Sequence, residues 1–118
     1  MKSYQTIVRA IGSEARLFQE EKLLILFGRK APDTLKEYCF TIDVNAVTSK
    51  ILPSMRLAID QESYLITAVG EIVEKNLAEL GHLTIKFDGA ACPELPGTLH
   101  VAAGGYPTIE IGTVIVIK

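Results

Sequence analysis

The side chains best suited to chemistry near neutral pH are two histidines, His82 in "ELGHLTIKFDG" and His100 in "GTLHVAAG". A neutral imidazole is a competent nucleophile and exchanges protons near pH 7. Side chains alternate faces along a strand, so His82 shares a face with Thr84 and Lys86, and His100 shares one with Thr98. We therefore expect His82 at or near the surface and His100 on the less apolar face. Both positions permit chemistry, although strand histidines are also commonly structural.

Other reactive groups are few. Cys39 and Cys92 have no CxxC or Cys/His spacing of a zinc site, and we interpret them as reduced thiols rather than a disulfide framework. The sequence has no GxSxG elbow, no phosphate-binding P-loop, no GxGxxG turn and no HExxH helix. It therefore predicts neither a metal site nor a bound cofactor.

Length and composition favour a single domain over residues 1–118. The chain is 48% hydrophobic, with 12 Lys and Arg residues against 14 Asp and Glu residues, and its charges form no basic block. A nucleic-acid partner is therefore not expected. The N-terminus lacks the apolar block of a signal peptide, and the run "LLILF" is too short to span a bilayer. We expect a cytoplasmic protein that does not itself span the membrane.

Most of the chain has the pattern of short strands separated by turns. One segment, 71–80, has a helical period instead, with Val73, Leu77 and Leu80 on one face and Gly81 placed to cap the end. The predicted fold is mainly β: a small antiparallel barrel, or a barrel-sandwich, with one short helix near 71–80. The predicted strands cover residues 4–11, 22–28, 36–43, 54–60, 63–69, 82–87, 98–102 and 108–118.

Alternation along the later strands also predicts a core. The side chains expected to share its buried face are Leu83, Ile85, Phe87, Leu99, Val101, Val114 and Val116. The apolar end "GTVIVIK" could close the barrel within one chain or pair with a second copy, so a homodimer is one expectation.

Three segments together resemble a known family: "APDTLKEYCF", "LITAVGEIVEKNLAELGHLTIKFDG" and "ELPGTLHVAAG". They are similar to the glucitol/sorbitol-specific enzyme IIA component of the bacterial phosphoenolpyruvate-dependent sugar phosphotransferase system, over roughly residues 4–117. The resemblance implies a phosphoryl relay. A histidine of IIA receives the group from the phosphocarrier HPr and passes it to a IIB domain, which phosphorylates the hexitol carried by IIC. No nucleotide site is needed.

The resemblance also implies an acceptor histidine shortly after "EYCF", where this chain has Ile42 and Val44. Asp43 is the nearest polar side chain, and we interpret it as a solvated turn residue. Because residues 1–81 contain no histidine, a working phosphocarrier would have to use His100 or His82. The sequence argument prefers His100, because His82 follows a helix C-terminus whose dipole opposes a phosphate.

Two functions therefore stay open. The chain resembles a phosphohistidine-dependent sugar phosphotransferase subunit, yet it lacks histidine at the expected position. The alternative is a non-phosphorylated relative that keeps the barrel as a binding or regulatory module.

Overall fold

The structure is a computed structural model and describes residues 2–118. Its eight strands close into a barrel in the order β1-β3-β2-β6-β7-β5-β4-β8, with β8 pairing back onto β1. The strands are β1 (Tyr4–Ile11), β2 (Leu23–Phe27), β3 (Phe40–Ile42), β4 (Arg56–Ile59), β5 (Glu62–Val69), β6 (Leu83–Lys86), β7 (Thr98–Val101) and β8 (Val114–Ile117). The helices are α1 (Asp33–Lys36) and α2 (Val73–Leu80), with a 3₁₀ turn at Leu17–Gln19.

The prediction of a mainly β barrel is confirmed. Six neighbouring strand pairs are antiparallel, and two, β2 with β3 and β6 with β7, are parallel. β8 pairs with β1 on one edge and with β4 on the other, so "GTVIVIK" closes the barrel within the chain. A homodimer through another surface stays a prediction.

Two strands, β3 and β8, are much shorter than the sequence pattern predicts. Residues 36–39 are not strand, because Pro32 starts a helical turn whose Asp33 and Lys36 suit the two ends of its dipole. Residues 108–113 are not strand either, because the chain turns at Gly112 with φ +97° before β8 begins. Local turn chemistry thus overrides the apolar alternation at both places.

The helix prediction is confirmed for α2. Val73 and Leu77 are fully buried, and Gly81 caps the end with φ +67° while its N–H bonds to the carbonyl of Leu77 at 3.0 Å. Leu80, which the sequence assigns to the same helical face, is 46% exposed. Leu80 is the last residue of the helix and lines an open groove instead.

The barrel interior holds five of the seven predicted core residues, Leu83, Ile85, Phe87, Leu99 and Val101, all essentially inaccessible. The prediction is wrong for Val114 and Val116, which are only partly buried, whereas Ile115 and Ile117 are fully buried. Every residue of the strand "VIVI" is apolar, so the sequence contains no contrast between its faces. Cross-strand pairing settles the choice: Ile115 pairs with Ile59, and Ile117 with Leu57, which are both buried.

Candidate functional site

An open groove of about 490 Å³ surrounds the stretch where the acceptor histidine is expected. It lies where β3, the end of β2 and the C-terminal end of α2 meet. The groove combines two cationic, two acidic and several apolar side chains. They belong to Arg29, Lys30, Ile42, Asp43, Val44, Asn45, Glu79 and Leu80.

Two glycines shape one wall of this groove. The Gly28 N–H donates to the Leu80 carbonyl at 2.9 Å, which ties the end of β2 to the end of α2. A Cβ on Gly28 would lie 2.4 Å from Cγ2 of Val44, and one on Gly81 would lie 3.3 Å from the same atom. Val44 therefore packs into a notch between Gly28 and Gly81, where a larger residue would collide with it. This packing holds the backbone that follows β3 in place.

Arg9 and Asp43 form the ion pair beside the groove. The guanidinium bonds to both carboxylate oxygens, Nε to Oδ1 at 3.1 Å and Nη2 to Oδ2 at 2.9 Å. This hydrogen bonding holds the pKa of Asp43 below its ordinary value. A carboxylate stabilised in this way is a poor nucleophile, and Arg29 and Lys30 are left as the exposed cations of the groove.

Neither residue at the expected acceptor position can carry a phosphoryl group. Ile42 is completely buried in the barrel, and Val44 is 46% exposed but has only an aliphatic side chain. The geometry of the groove is thus present without the nucleophile that the family resemblance implies for it.

His82 follows Gly81 directly, at the edge of this region. It is partly buried, near the surface as expected, and its ring stacks on Phe27 with centroids 4.3 Å apart and planes 13° apart. Burial lowers the pKa of His82, so the ring is neutral at neutral pH. The backbone N–H of His82 donates to the carbonyl of Asn76 at 3.2 Å. This bond satisfies one carbonyl at the C-terminal end of α2, a helix end that would otherwise favour an imidazolium.

His100 has a different environment: it lies on the less apolar face of β7, but this face is not open to solvent. Its exposure is 0%, because the segment between β6 and β7 covers the outer face of β7. Nδ1 lies 2.9 Å from Oδ1 of Asp88, and Nε2 accepts the N–H of Glu94 at 3.2 Å. Both ring nitrogens are therefore occupied. Alternation along β7 gave no sign that a loop would cover its polar face.

The two histidines do not form one site. β6 and β7 run parallel, and Lys86 on β6 is the register partner of His100. His82 precedes the other end of β6, four residues from Lys86, which corresponds to about 13 Å along a strand. His82 thus lies two residues after Leu80, which lines the groove, but its ring stacks on Phe27 outside the groove lining, and His100 lies at the opposite end of β6.

Within residues 2–118, no three His, Cys, Asp or Glu side chains cluster closely enough to hold a metal ion. The same residues include no helix that is long and apolar enough to cross a membrane. Cys39 is buried, which raises the pKa of its thiol, and Cys92 is exposed. The two thiols are free.

The sequence model of the glucitol/sorbitol-specific IIA component of the phosphotransferase system matches residues 3–116. The chain belongs to this family. Similar proteins include the glucitol/sorbitol-specific EIIA components of Shigella flexneri and Escherichia coli K12, each 39% identical over 112 residues that cover 95% of this chain and 91% of the relative. The crystal structure of a IIA component from Enterococcus faecalis V583 superposes with a TM-score of 0.83 at 30% identity, covering 95% and 97% of the two chains.

Membership of the IIA family confirms the resemblance drawn from the sequence. The groove is of interest because it surrounds the position where that resemblance implies an acceptor histidine. The family fold is complete here, whereas the stretch after "EYCF" has aliphatic residues where the resemblance implies histidine. Sequence reasoning missed Arg29 and Lys30. Their only signal is the tripeptide "GRK" directly after β2, where polar residues collect at a strand end.

Proposed function

We propose that this IIA-family protein accepts a phosphoryl group from HPr and passes it to the IIB domain of a glucitol/sorbitol permease. The observation that carries the proposal is the family match over residues 3–116, supported by relatives at 39% identity over nearly their whole length. These partners imply a cytoplasmic location for the protein. The permease, not this chain, would span the membrane.

We further propose His82 as the acceptor. His82 is the more accessible of the two histidines, and its lowered pKa leaves an unprotonated ring nitrogen at neutral pH. That nitrogen would form a new P–N bond as the P–N bond to the HPr histidine breaks. Arg29 and Lys30 in the neighbouring groove would help to compensate the charge of a docked phosphoryl group. His100 is disfavoured because both of its ring nitrogens are occupied under a closed loop.

The test is a phosphorylation assay with purified enzyme I, HPr and labelled phosphoenolpyruvate. The proposal expects acid-labile, base-stable label on the wild-type protein, lost in His82→Gln and retained in His100→Gln. Circular dichroism of each variant would establish that it is folded. Label that is lost in a folded His100→Gln protein but kept in His82→Gln would reverse the assignment of the acceptor.

The second candidate function is a non-phosphorylated module that binds or regulates a partner. Its motivation is one observation, the aliphatic residues Ile42 and Val44 at the expected acceptor position, whereas the family match supports the relay. Absence of label on this chain, beside a control IIA component that is labelled, would refute the relay and support this alternative. Adjacent IIB and IIC genes would instead favour transport.

A further inference from the structure

Residues 90–94 are held on the barrel mainly through one histidine. Their hydrogen bonds and ion pairs to the rest of the described chain are the Ala90 N–H to Asp88 at 3.1 Å, the Glu94 N–H to His100 Nε2, and an ion pair between Glu94 and Lys86. Lys86 and Glu94 are both substantially exposed, and such ion pairs contribute little. The one buried anchor of this segment is therefore the ring of His100.

The hydrogen bonds identify the tautomer of this ring. A backbone N–H can only donate, so Nε2 of His100 must be the unprotonated, accepting nitrogen. The proton of the neutral ring then lies on Nδ1, where it is donated to the Asp88 carboxylate at 2.9 Å. The closed loop is compatible with this one form of the imidazole.

A second proton on the ring would have unequal effects on its two contacts. An imidazolium keeps its bond to Asp88, whose opposite charge favours it. At Nε2, however, two N–H donors would face each other, and the His100 ring, which is 0% exposed, would have no acceptor there. The other charged groups around the ring are Lys86 on β6 and Glu94 in the loop, while its partner on β5 is the uncharged Ala68.

We propose that His100 is a proton-sensitive latch, in which the neutral ring holds residues 90–94 against β7 and its protonation releases Glu94 while Asp88 stays paired. The release is confined to this segment. Pro96 accepts the Ile72 N–H at 3.0 Å, and the Gly89 N–H bonds to Val101 at 2.8 Å, so backbone bonds independent of His100 fix both flanks. The latch does not depend on which residue carries a phosphoryl group.

The chain provides its own probe, because Cys92 lies in the latched segment and is exposed while Cys39 is buried. A nitroxide spin label on Cys92 should become more mobile as the pH falls from about 7.5 to about 5.5. Over the same range, hydrogen exchange at the Glu94 amide, corrected for its intrinsic pH dependence, should accelerate by about 5- to 150-fold. Exchange at the Ile72 amide should keep its protection.

His100→Gln is the matched variant, since glutamine can donate to Asp88 and accept from Glu94 but does not titrate. The label should show no pH response in His100→Gln and an unchanged response in His82→Gln. Three results would each overturn the proposal. They are an unaltered pH response of the label in His100→Gln, loss of that response in His82→Gln, and a label on the wild-type protein whose mobility does not change with pH. If His100→Gln does not fold, ¹⁵N spectra of the wild-type ring decide: an Nε2–H tautomer at pH about 7.5 would refute the latch.

Discussion

Truncation of Phe87 to alanine should strongly destabilise the barrel. Phe87 is fully buried and its ring meets two tyrosines edge-on, with centroids 4.9 Å from Tyr64 and 5.6 Å from Tyr106. Removal of a buried phenylalanine side chain costs about 3–5 kcal/mol. Each edge contact adds about 0.5–1.5 kcal/mol beyond the buried area, so we expect a loss in the upper half of the 3–5 kcal/mol range.

The free energy of unfolding is best measured by urea titration followed by far-ultraviolet circular dichroism. The chain has no tryptophan, so tyrosine fluorescence provides the second probe, and Tyr64 and Tyr106 report directly on the site. Coincident transitions by the two probes would establish two-state unfolding. Phe87→Leu retains much of the apolar volume but loses both edge contacts, and its cost should lie between those of wild type and Phe87→Ala.

The control is Ile111→Ala, which removes apolar atoms from a side chain that is 70% exposed. Its effect should stay within about 0.5 kcal/mol, as for ordinary surface changes. A loss of this small size in Phe87→Ala would show that the ring is not part of the packed core, and would refute its placement in the barrel interior.

Two further predictions concern the groove. Gly28→Ala should destabilise the protein by about 1–3 kcal/mol in thermal unfolding, because the new methyl would lie 2.4 Å from Val44 Cγ2. The control, Gly105→Ala, should be nearly neutral, because no atom lies within 4 Å of its new methyl. Arg9→Gln should raise the pKa of Asp43 toward its ordinary value of about 3.9 in a carboxyl NMR titration, and an unchanged pKa would contradict the ion pair. Because the pKa of Asp43 is depressed in the folded protein, ionised Asp43 stabilises the fold above about pH 4. This contribution to the free energy of unfolding disappears as the pH falls through the folded pKa. Arg9→Gln should therefore lose less stability on acidification than the wild type does.

Periodicity predicts elements of this fold where neighbouring residues differ in polarity. The sequence predicts α2 because Val73 and Leu77 stand out from charged neighbours at helical spacing. β8 has no such contrast, and its inward face became clear only through the pairing of Ile115 and Ile117 with residues of β4. Pairing partners distant in sequence are therefore the information that a local pattern lacks.

The candidate site was less predictable, for a related reason. The face of β7 that carries His100 is polar in sequence, and polar faces usually meet water. Here the segment between β6 and β7 folds back over that face, and Asp88 and Glu94 provide hydrogen bonds that compensate the burial of the imidazole. The family resemblance indicates where the groove lies. The accessibility of each histidine depends instead on contacts distant in sequence, His82 with Phe27 and His100 with the segment between β6 and β7.

The aliphatic residues at the expected acceptor position are compatible with the fold for a physical reason. Ile42 is fully buried with the barrel core, where a leucine-sized side chain contributes about 1.5–3 kcal/mol, and Val44 fills the notch between Gly28 and Gly81. A histidine at position 42 with its ring in the same pocket would bury polar nitrogens among apolar side chains, at a cost unless partners were found. The barrel and its groove therefore do not depend on a nucleophile at this position. The fold can persist while the acceptor moves to another residue or disappears, and this is why phosphorylation of His82, rather than further comparison of folds, distinguishes the two functions.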